Sequence, residues 1–342
     1  MELLGKNLFQ DPEEDDEGNV KYCKMHDLVH DLAEGIAGEE IKQLVEPLYQ
    51  VSSTDELMHV SVNMIRPEYC RLEFKAPATL LSATKIRSLL IKSNHFFNYL
   101  EVSSLEMMVL KFQSLRALDL ENMNIYVVPN SIRKLRHLRY LNLAWNRRIK
   151  CLPDGITRLQ NLQTLNLKAC FRLKKLPRDF CELDNLRHLA IYKTSLTEFP
   201  SGLGKMTSLI DLDYIIVGKN YGTYSLPPCP PMVICIRVDS YKGVEMPRRW
   251  LDGLSNLFSI CIMKCDECKV LPQLSHLEDL TLEEIDGLEY VEDEDWVCGG
   301  DADGGGKCGS GAHNVYFPSL KELELELKKI EVSKGVDKTI KR

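Results

Sequence analysis

Leucine and other aliphatic residues recur along the chain as Leu-x-x-Leu-x-Leu, with polar residues at most of the intervening positions. Seven successive copies begin at Leu115, and their first residues lie 23 or 24 residues apart. Two weaker copies precede them and two follow. The eleven copies begin at Leu57, Ile86, Leu115, Leu138, Leu162, Leu186, Leu209, Val233, Leu257, Leu277 and Leu320. The pattern predicts eleven stacked copies of one structural unit.

Each copy predicts one short strand followed by an irregular return segment. Alternate side chains of a strand point to opposite faces, so the aliphatic residues of a copy face the core and those between them face solvent. The copy at Leu209 fits this pattern with Leu212 and Tyr214 as its further core residues. Most copies continue with an apolar residue and a proline, as in Leu152-Pro153. Proline lacks an amide donor and suits an irregular outer segment.

A fixed period of roughly 20–29 residues with this core is the signature of leucine-rich repeats. No copy can bury its apolar face alone, so the units must stack to build a core. The predicted fold class is α/β: a leucine-rich-repeat solenoid with a curved parallel sheet on its concave face and an irregular or short-helical convex face. We assign residues 46–342 to this domain, with about eleven repeats and a Gly-rich loop at 299–311.

The first 45 residues have a different pattern. An apolar stretch at 3–9, an acidic stretch at 11–19 and a second apolar stretch at 20–25 predict a hairpin with a long wing. Leu28, Leu32 and Ile36 then follow at helical spacing. Because a strand, wing, strand and helix in this order are compatible with part of a winged-helix fold, we assign residues 1–45 to a winged-helix remnant that precedes the solenoid.

The residues between the core positions predict a concave surface that binds a protein partner. Its middle carries aromatic and basic residues, and aromatic residues on a solvent-facing surface often mark binding. A polar concave face without a partner remains the alternative, since every solenoid has one. The candidate binding residues are Asp119, Glu121, Tyr140, Asn142, Trp145, Thr164, Lys168, His188, Tyr192, Asp211, Asp213 and Arg237.

Charge and composition narrow the function further. The chain has 43 Lys and Arg against 50 Asp and Glu, a net charge of −7, which argues against general binding to nucleic acid or anionic membranes. It contains no apolar stretch long enough to span a bilayer and no signal peptide. Its 12 cysteines are scattered, and it has no Asn-x-Ser/Thr acceptor for glycosylation. We therefore expect reduced thiols and a cytoplasmic protein, with the nucleus as the other compartment.

Two residue groups have the spacing of metal ligands. His26 and His30 lie four residues apart, as in zinc proteases, but the usual glutamate base and a third ligand are missing. Cys265 and Cys268, with Cys298 and Cys308, are loosely spaced, and Cys265 occupies the turn position of its repeat. We predict no metal site, no catalytic residues and no enzymatic activity.

A short motif resembles a known family. The run from Lys24 to Ala33, which contains Met25-His26-Asp27, resembles the Met-His-Asp motif of plant nucleotide-binding leucine-rich-repeat disease-resistance proteins. Leu8-Phe9-Gln10-Asp11 and the acidic wing resemble the members that have an N-terminal coiled coil. Pro247-x-x-Trp250-Leu251 and Leu271-Pro272-Gln273-Leu274 also resemble this family.

The resemblance implies an intracellular receptor of plant innate immunity. In the family, bound ADP holds an inactive state and exchange for ATP permits defence signalling; His26, with Met25 and Asp27, would lie by the nucleotide phosphates. The repeats would recognise a pathogen effector or a modified host protein, and would contact the nucleotide-binding region to help hold the receptor inactive. The sequence has no Gly-x-x-x-x-Gly-Lys-Ser/Thr loop, so we expect the C-terminal part of such a receptor, with no ADP or ATP bound to this chain. The alternative is a stand-alone repeat scaffold or decoy that acts in trans on full-length receptors.

Overall fold

The protein forms a stack of parallel strands. The computed structural model describes residues 9–14, 20–25, 41–45, 57–64, 73–93, 99–215, 218–220, 223–225, 229–246, 254, 256–271, 277–285, 290–291 and 322–326. Within them, twelve strands form one sheet in chain order, each parallel to the next. They are β3 (Ile41–Val45), β4 (His59–Met64), β6 (Ser88–Ser93), β8 (Ala117–Asp119), β9 (Tyr140–Asn142), β10 (Thr164–Asn166), β11 (His188–Ala190), β12 (Asp211–Ile215), β15 (Cys235–Asp239), β16 (Ser259–Met263), β18 (Asp279–Glu283) and β20 (Glu322–Glu326).

The remaining strands form two-stranded pairs. They are the antiparallel pairs of β1 (Phe9–Glu14) with β2 (Val20–Met25) and of β13 (Gly218–Asn220) with β14 (Thr223–Ser225), and the parallel pairs of β5 (Glu73–Phe74) with β7 (Tyr99–Leu100) and of β17 (Val270–Leu271) with β19 (Tyr290–Val291). The β1–β2 pair confirms the hairpin predicted for the N-terminal segment. The helix predicted to follow it lies outside the described residues.

The register of the sheet reproduces the sequence period. Tyr140 pairs with Thr164 and Thr164 with His188, each one 24-residue step along the chain. All eleven predicted units contribute a strand, so the solenoid prediction is confirmed. The sheet also contains β3, which pairs in register with β4 and lies N-terminal to the boundary that we placed after residue 45.

Repeat length decides the structure of the return segment. The steps from β4 to β6 and from β6 to β8 are 29 residues long, and their return segments hold α1 (Ala78–Ser82) and α2 (Val102–Lys111). The repeats of 23 or 24 residues have room only for short 3₁₀ turns. Two of these turns, Asn130–Lys134 and Asp154–Arg158, begin directly after the prolines of the apolar-proline pairs. A proline supplies the fixed φ that such a start requires and has no amide to leave unpaired.

The core is a continuous column of aliphatic residues. Leu118, Leu141, Leu165 and Leu189 occupy the same position of successive repeats, pair in register and are buried. One core assignment from the sequence is wrong. In the repeat at Leu209, the third core residue is Ile215 and not Tyr214, because a β-bulge between Leu212 and Ile215 adds a residue to the strand.

A left-handed residue ends most of the strands. Two residues past the third core position, the chain turns with a φ between 51° and 61° and then leaves the sheet. The amide of this residue donates to a carbonyl of the next repeat, as from Trp145 to Lys168 (2.8 Å) and from Ala169 to Tyr192 (2.8 Å). The turn therefore extends the hydrogen-bonded ladder past the strand. The residues at this position are Asn122, Trp145, Ala169, Lys193, Ser240 and Lys264.

The next residue satisfies the backbone that this turn leaves inside. The side chain of Asn146 is fully buried; its amide nitrogen donates to the carbonyls of Leu120 and Leu143 at 2.8 Å, and its oxygen accepts the amide of Ile125 at 2.9 Å. In the next repeat the Cys170 thiol donates to the Leu143 carbonyl. This position therefore connects neighbouring repeats through hydrogen bonds as well as apolar contact.

Candidate partner-binding surface

The concave surface consists of the strand residues that point away from the core. Tyr140, Thr164, His188 and Asp211 pair in register on β9 to β12 and form one row across it. His188 and Asp211 are half-exposed, and the Nδ1 of His188 lies 3.6 Å from a carboxylate oxygen of Asp211. The sequence therefore placed this row of candidate residues correctly on the sheet.

A second row is partly engaged in holding the strand ends. The carboxylate of Asp119 accepts the amide of Glu121 at 3.1 Å, and the side-chain oxygen of Asn142 accepts the amide of Ala144 at 3.0 Å. The amide nitrogen of Asn142 also donates to the Glu121 carboxylate at 3.2 Å. Asn142 is only 3% exposed. Local hydrogen bonds of this kind end strands, and they give these polar residues a structural role.

The bulge in β12 changes the hydrogen bonding at the centre of the surface. In the regular repeats, the amide of the third core residue donates to a backbone carbonyl of the next repeat, as from Leu167 to Ala190 (2.7 Å). At the bulge, the carboxylate of Asp213 takes this place. It accepts the amides of Ile191 at 2.6 Å and Tyr192 at 3.2 Å. A side chain therefore joins β11 to β12 where a main-chain carbonyl does so elsewhere.

Asp213 is also the most perturbed carboxylate of this surface. Its side chain is 12% exposed, and the Lys168 ammonium lies 3.7 Å from one of its oxygens. Burial raises the pKa of Asp213 to about 6, while the amides of Ile191 and Tyr192 and the charge of Lys168 oppose this rise. The carboxylate is therefore mostly ionised at pH 7 and titrates in mildly acidic solution.

An aromatic and cationic cluster lies beside Asp213. The rings of Tyr192 and Tyr214 are 6.0 Å apart, and the guanidinium of Arg237 lies 4.9 Å from the centre of the Tyr192 ring. The Lys193 ammonium lies 5.0 Å from the centre of the same ring. We call Tyr192, Lys193, Tyr214 and Arg237 the tyrosine cluster. The sequence analysis gave Tyr214 to the core, so it missed this residue; Ile215, the next residue, was the available signal.

The charge of the concave surface changes along the solenoid. Lys168, Lys193 and Arg237 lie around the tyrosine cluster, whereas the later strands β15 and β18 carry Asp239, Asp279 and Glu283. One of these carboxylates is engaged locally, since the hydroxyl of Ser259 donates to Asp279 at 2.7 Å. A partner would therefore meet a basic, aromatic centre next to an acidic end.

Trp145 does not belong to the strand rows. It occupies the left-handed turn after β9, with a φ of 61°, and its ring meets that of Phe171 edge to face at 6.3 Å. A left-handed backbone is unusual for so bulky a residue. Trp145 therefore lies on the flank that the chain forms as it leaves the sheet.

Comparisons with known proteins identify the family of this chain. Residues 1–33 match the winged-helix domain of disease resistance proteins, residues 85–224 match a leucine-rich repeat region, and residues 226–288 match the R13L1/DRL21 leucine-rich repeats. The disease resistance protein RGA1 of Solanum bulbocastanum is 31% identical over 390 aligned residues, which cover 94% of this chain. The chain belongs to the plant leucine-rich-repeat disease-resistance proteins. It spans 34% of the length of RGA1.

Two solved structures are similar to this disease-resistance chain at low identity. A leucine-rich-repeat protein of Leptospira interrogans is 18% identical, with a TM-score of 0.45, and the match covers 72% of this chain and 78% of the other. The functional domain of InlJ from Listeria monocytogenes is 14% identical, with a TM-score of 0.41, covering 65% of this chain and 55% of the other.

The remaining sequence candidates contribute little to this surface. Met25 ends β2, while His26, Asp27 and His30 of the Met-His-Asp region lie outside the described residues, as do Cys298 and Cys308. Cys265 is buried and its thiol donates to the Met263 carbonyl, as expected for the turn position of a repeat. Among the described residues, no group of three or more metal-ligand side chains is present, and no helix is long and apolar enough to cross a membrane.

Proposed function

We propose that this disease-resistance chain acts by binding a protein, and that the tyrosine cluster is the centre of the contact. The partner is a pathogen effector or a host protein modified by one, and binding relieves an inhibition to which the repeats contribute. The chain works in the cytoplasm, or in the nucleus, as an immune receptor component without catalytic activity. Membership of the disease-resistance family supports the immune role.

The tyrosine cluster carries this proposal. Tyrosine and arginine are enriched among the residues that dominate binding energies, because they combine a large contact area with hydrogen-bonding groups. Tyr192 and Tyr214 are only partly buried, although each ring already packs against a neighbour. The arrangement is therefore ordered before a partner arrives, which lowers the entropy lost on binding.

A binding experiment with matched variants tests the proposal. The 342-residue chain would be immobilised as wild type, Tyr192→Ala and Phe258→Ala, and incubated with extract from pathogen-challenged leaves. Phe258 is an exposed aromatic residue that follows the first core position of its repeat, so it controls for the loss of a surface ring. We expect proteins that wild type and Phe258→Ala retain but Tyr192→Ala loses. The strongest of them, purified, should bind Tyr192→Ala at least about tenfold more weakly by calorimetry.

Thermal unfolding separates binding from folding. Tyr192→Ala should melt within a few degrees of wild type, since its ring is part of the surface. A collapsed melting transition, or equal retention of every partner by Tyr192→Ala and wild type, would reject the tyrosine cluster as the binding centre. The same measurement on Trp145→Ala reports whether the contact extends onto the neighbouring flank.

A further inference from the structure

A second surface lies outside the concave face, where the chain leaves the strands of three adjacent repeats. It consists of residues 124–127, 145–150 and 171–175, and we call it the post-strand flank. Three aromatic residues on it are exposed: Tyr126 (50%), Trp145 (37%) and Phe171 (40%). A run of exposed aromatic residues on neighbouring repeats is the kind of patch that marks an interaction site.

Two arginines are interleaved with these rings. The guanidinium of Arg147 lies 5.3 Å from the centre of the Trp145 ring and 5.4 Å from that of Phe171. The guanidinium of Arg148 lies 5.5 Å from the centre of the Tyr126 ring. The stacked guanidinium groups still present their edges, which carry the N–H donors, to an anionic partner.

The basic residues of the flank are aligned between repeats. The amide of Lys174 donates to the carbonyl of Lys150 at 3.2 Å, and Cys151 pairs with Lys175 in a parallel bridge. This pairing places Arg172 next to Arg148 and Lys174 next to Lys150, on chain segments about 5 Å apart. Like charges directly opposite each other repel, so the flank holds these cations together at a cost in stability.

No carboxylate within the flank compensates this charge. Residues 144–178 contain nine Lys or Arg and one acidic residue, Asp154, although the whole chain has a net charge of −7. Among the described residues, no carboxylate lies within 4.0 Å of the charged nitrogens of Lys150, Arg172, Lys174 or Lys175. The local charge is therefore opposite in sign to the charge of the molecule and is available to an acidic partner.

We propose that the post-strand flank is a docking surface for an extended acidic segment of a partner protein. Side chains two residues apart on an extended segment lie about 7 Å apart on one face, which matches the spacing of Arg148 and Lys150 along their own chain segment. Carboxylates at alternate positions would pair with the two rows of cations, and an aromatic residue at the end of the segment would pack on Trp145 and Phe171.

The ring geometry favours a protein over a nucleic acid. Single-stranded nucleic acids bind through bases stacked on open aromatic faces. Here the Arg147 guanidinium covers the faces of both Trp145 and Phe171, and the two rings meet at an interplanar angle of 78°. No ring face is left for a base between them. Carboxylates, in contrast, need only the exposed N–H edges of the cations.

Fluorescence anisotropy with a defined probe tests the proposal. The probe is the fluorescein-labelled peptide Phe-Glu-Ser-Glu-Ser-Glu, and its control has Gln in place of each Glu. We expect saturable binding of the Glu peptide to the 342-residue chain in 0.1 M salt, weakened at least tenfold by Lys150→Glu, Lys174→Glu or Phe171→Ala. Arg187→Glu, a charge reversal at an exposed arginine outside the flank, and Phe258→Ala should each stay within twofold of wild type.

Three results would overturn the proposal. These are equal binding of the Gln peptide, no binding of the Glu peptide at 1 mM, and equal losses with Arg187→Glu and Lys150→Glu. A twelve-residue oligothymidylate that binds more tightly than the peptide, and loses binding with the flank variants, would reassign the flank to nucleic acid. Because the flank and the tyrosine cluster use different residues, a negative result here leaves the proposed function standing.

Discussion

The repeat at Leu138 and the repeat at Leu209 have nearly the same length but differ in how they join their neighbours. In the first, main-chain carbonyls and the buried amide of Asn146 make the connections. In the second, a bulge displaces the main chain and the Asp213 carboxylate receives two amides of the preceding repeat. The first junction is built from groups that do not titrate, and the second depends on one that does. Equal spacing in sequence therefore does not guarantee equal chemistry at a junction.

The regular junction should be the more sensitive to truncation. Asn146→Ala leaves the carbonyls of Leu120 and Leu143 and the amide of Ile125 without these partners inside the core. We expect the free energy of unfolding to fall by about 3 kcal/mol in urea titrations. The control is Asn161→Ala, an exposed asparagine that donates to the Arg136 carbonyl, which should cost less than about 1 kcal/mol. Equal effects of the two variants would deny Asn146 its role.

The irregular junction should respond to pH. The pKa of Asp213 is about 6 in the folded chain, against a usual value of 3.8, so the folded state binds its proton more tightly than the unfolded state. This contribution to stability is therefore fully present below about pH 4 and is lost as the pH rises to about 6. Asp213→Asn keeps an oxygen acceptor but removes the titration. We expect the difference in unfolding free energy between wild type and Asp213→Asn to change by roughly 2 kcal/mol across this window.

Measurements at constant ionic strength would check this pH dependence. Lys168 and Asp211, the other charged groups that act on Asp213, are present in both proteins, so their contributions largely cancel in the difference. A difference that stays flat between pH 4 and pH 6 would show that Asp213 titrates normally and that the bulge leaves it open to water.

The smallest effect is expected where a thiol replaces the buried amide. Cys170 occupies the position of Asn146 in the next repeat, but its thiol donates only to the Leu143 carbonyl, at 3.2 Å. Cys170→Ala should therefore cost about 1 kcal/mol, and Cys170→Ser less, because a hydroxyl can donate to the same carbonyl. A loss with Cys170→Ala as large as that with Asn146→Ala would mean that packing, and not hydrogen bonding, sets the strength of these junctions.

The sequence predicted the repeating core because that core follows one simple rule. Aliphatic residues at a constant step can be buried only if successive copies stack, and all eleven copies have strands in the sheet. The row of Tyr140, Thr164, His188 and Asp211 followed from the same alternation. The N-terminal hairpin and the capping role of Cys265 were also read correctly.

Tertiary structure alone decided the features that depend on neighbouring repeats. Tyr214 and Ile215 are both apolar enough for the core, and only the pairing of β12 with β15 selects Ile215 and turns Tyr214 towards Tyr192. The alignment of Lys150 with Lys174 and the raised pKa of Asp213 likewise require contacts between residues more than twenty positions apart. A period in the sequence determines which residues are buried, because burial repeats with the chain. Hydrogen bonds and charges between repeats depend on local backbone geometry, which the period does not encode.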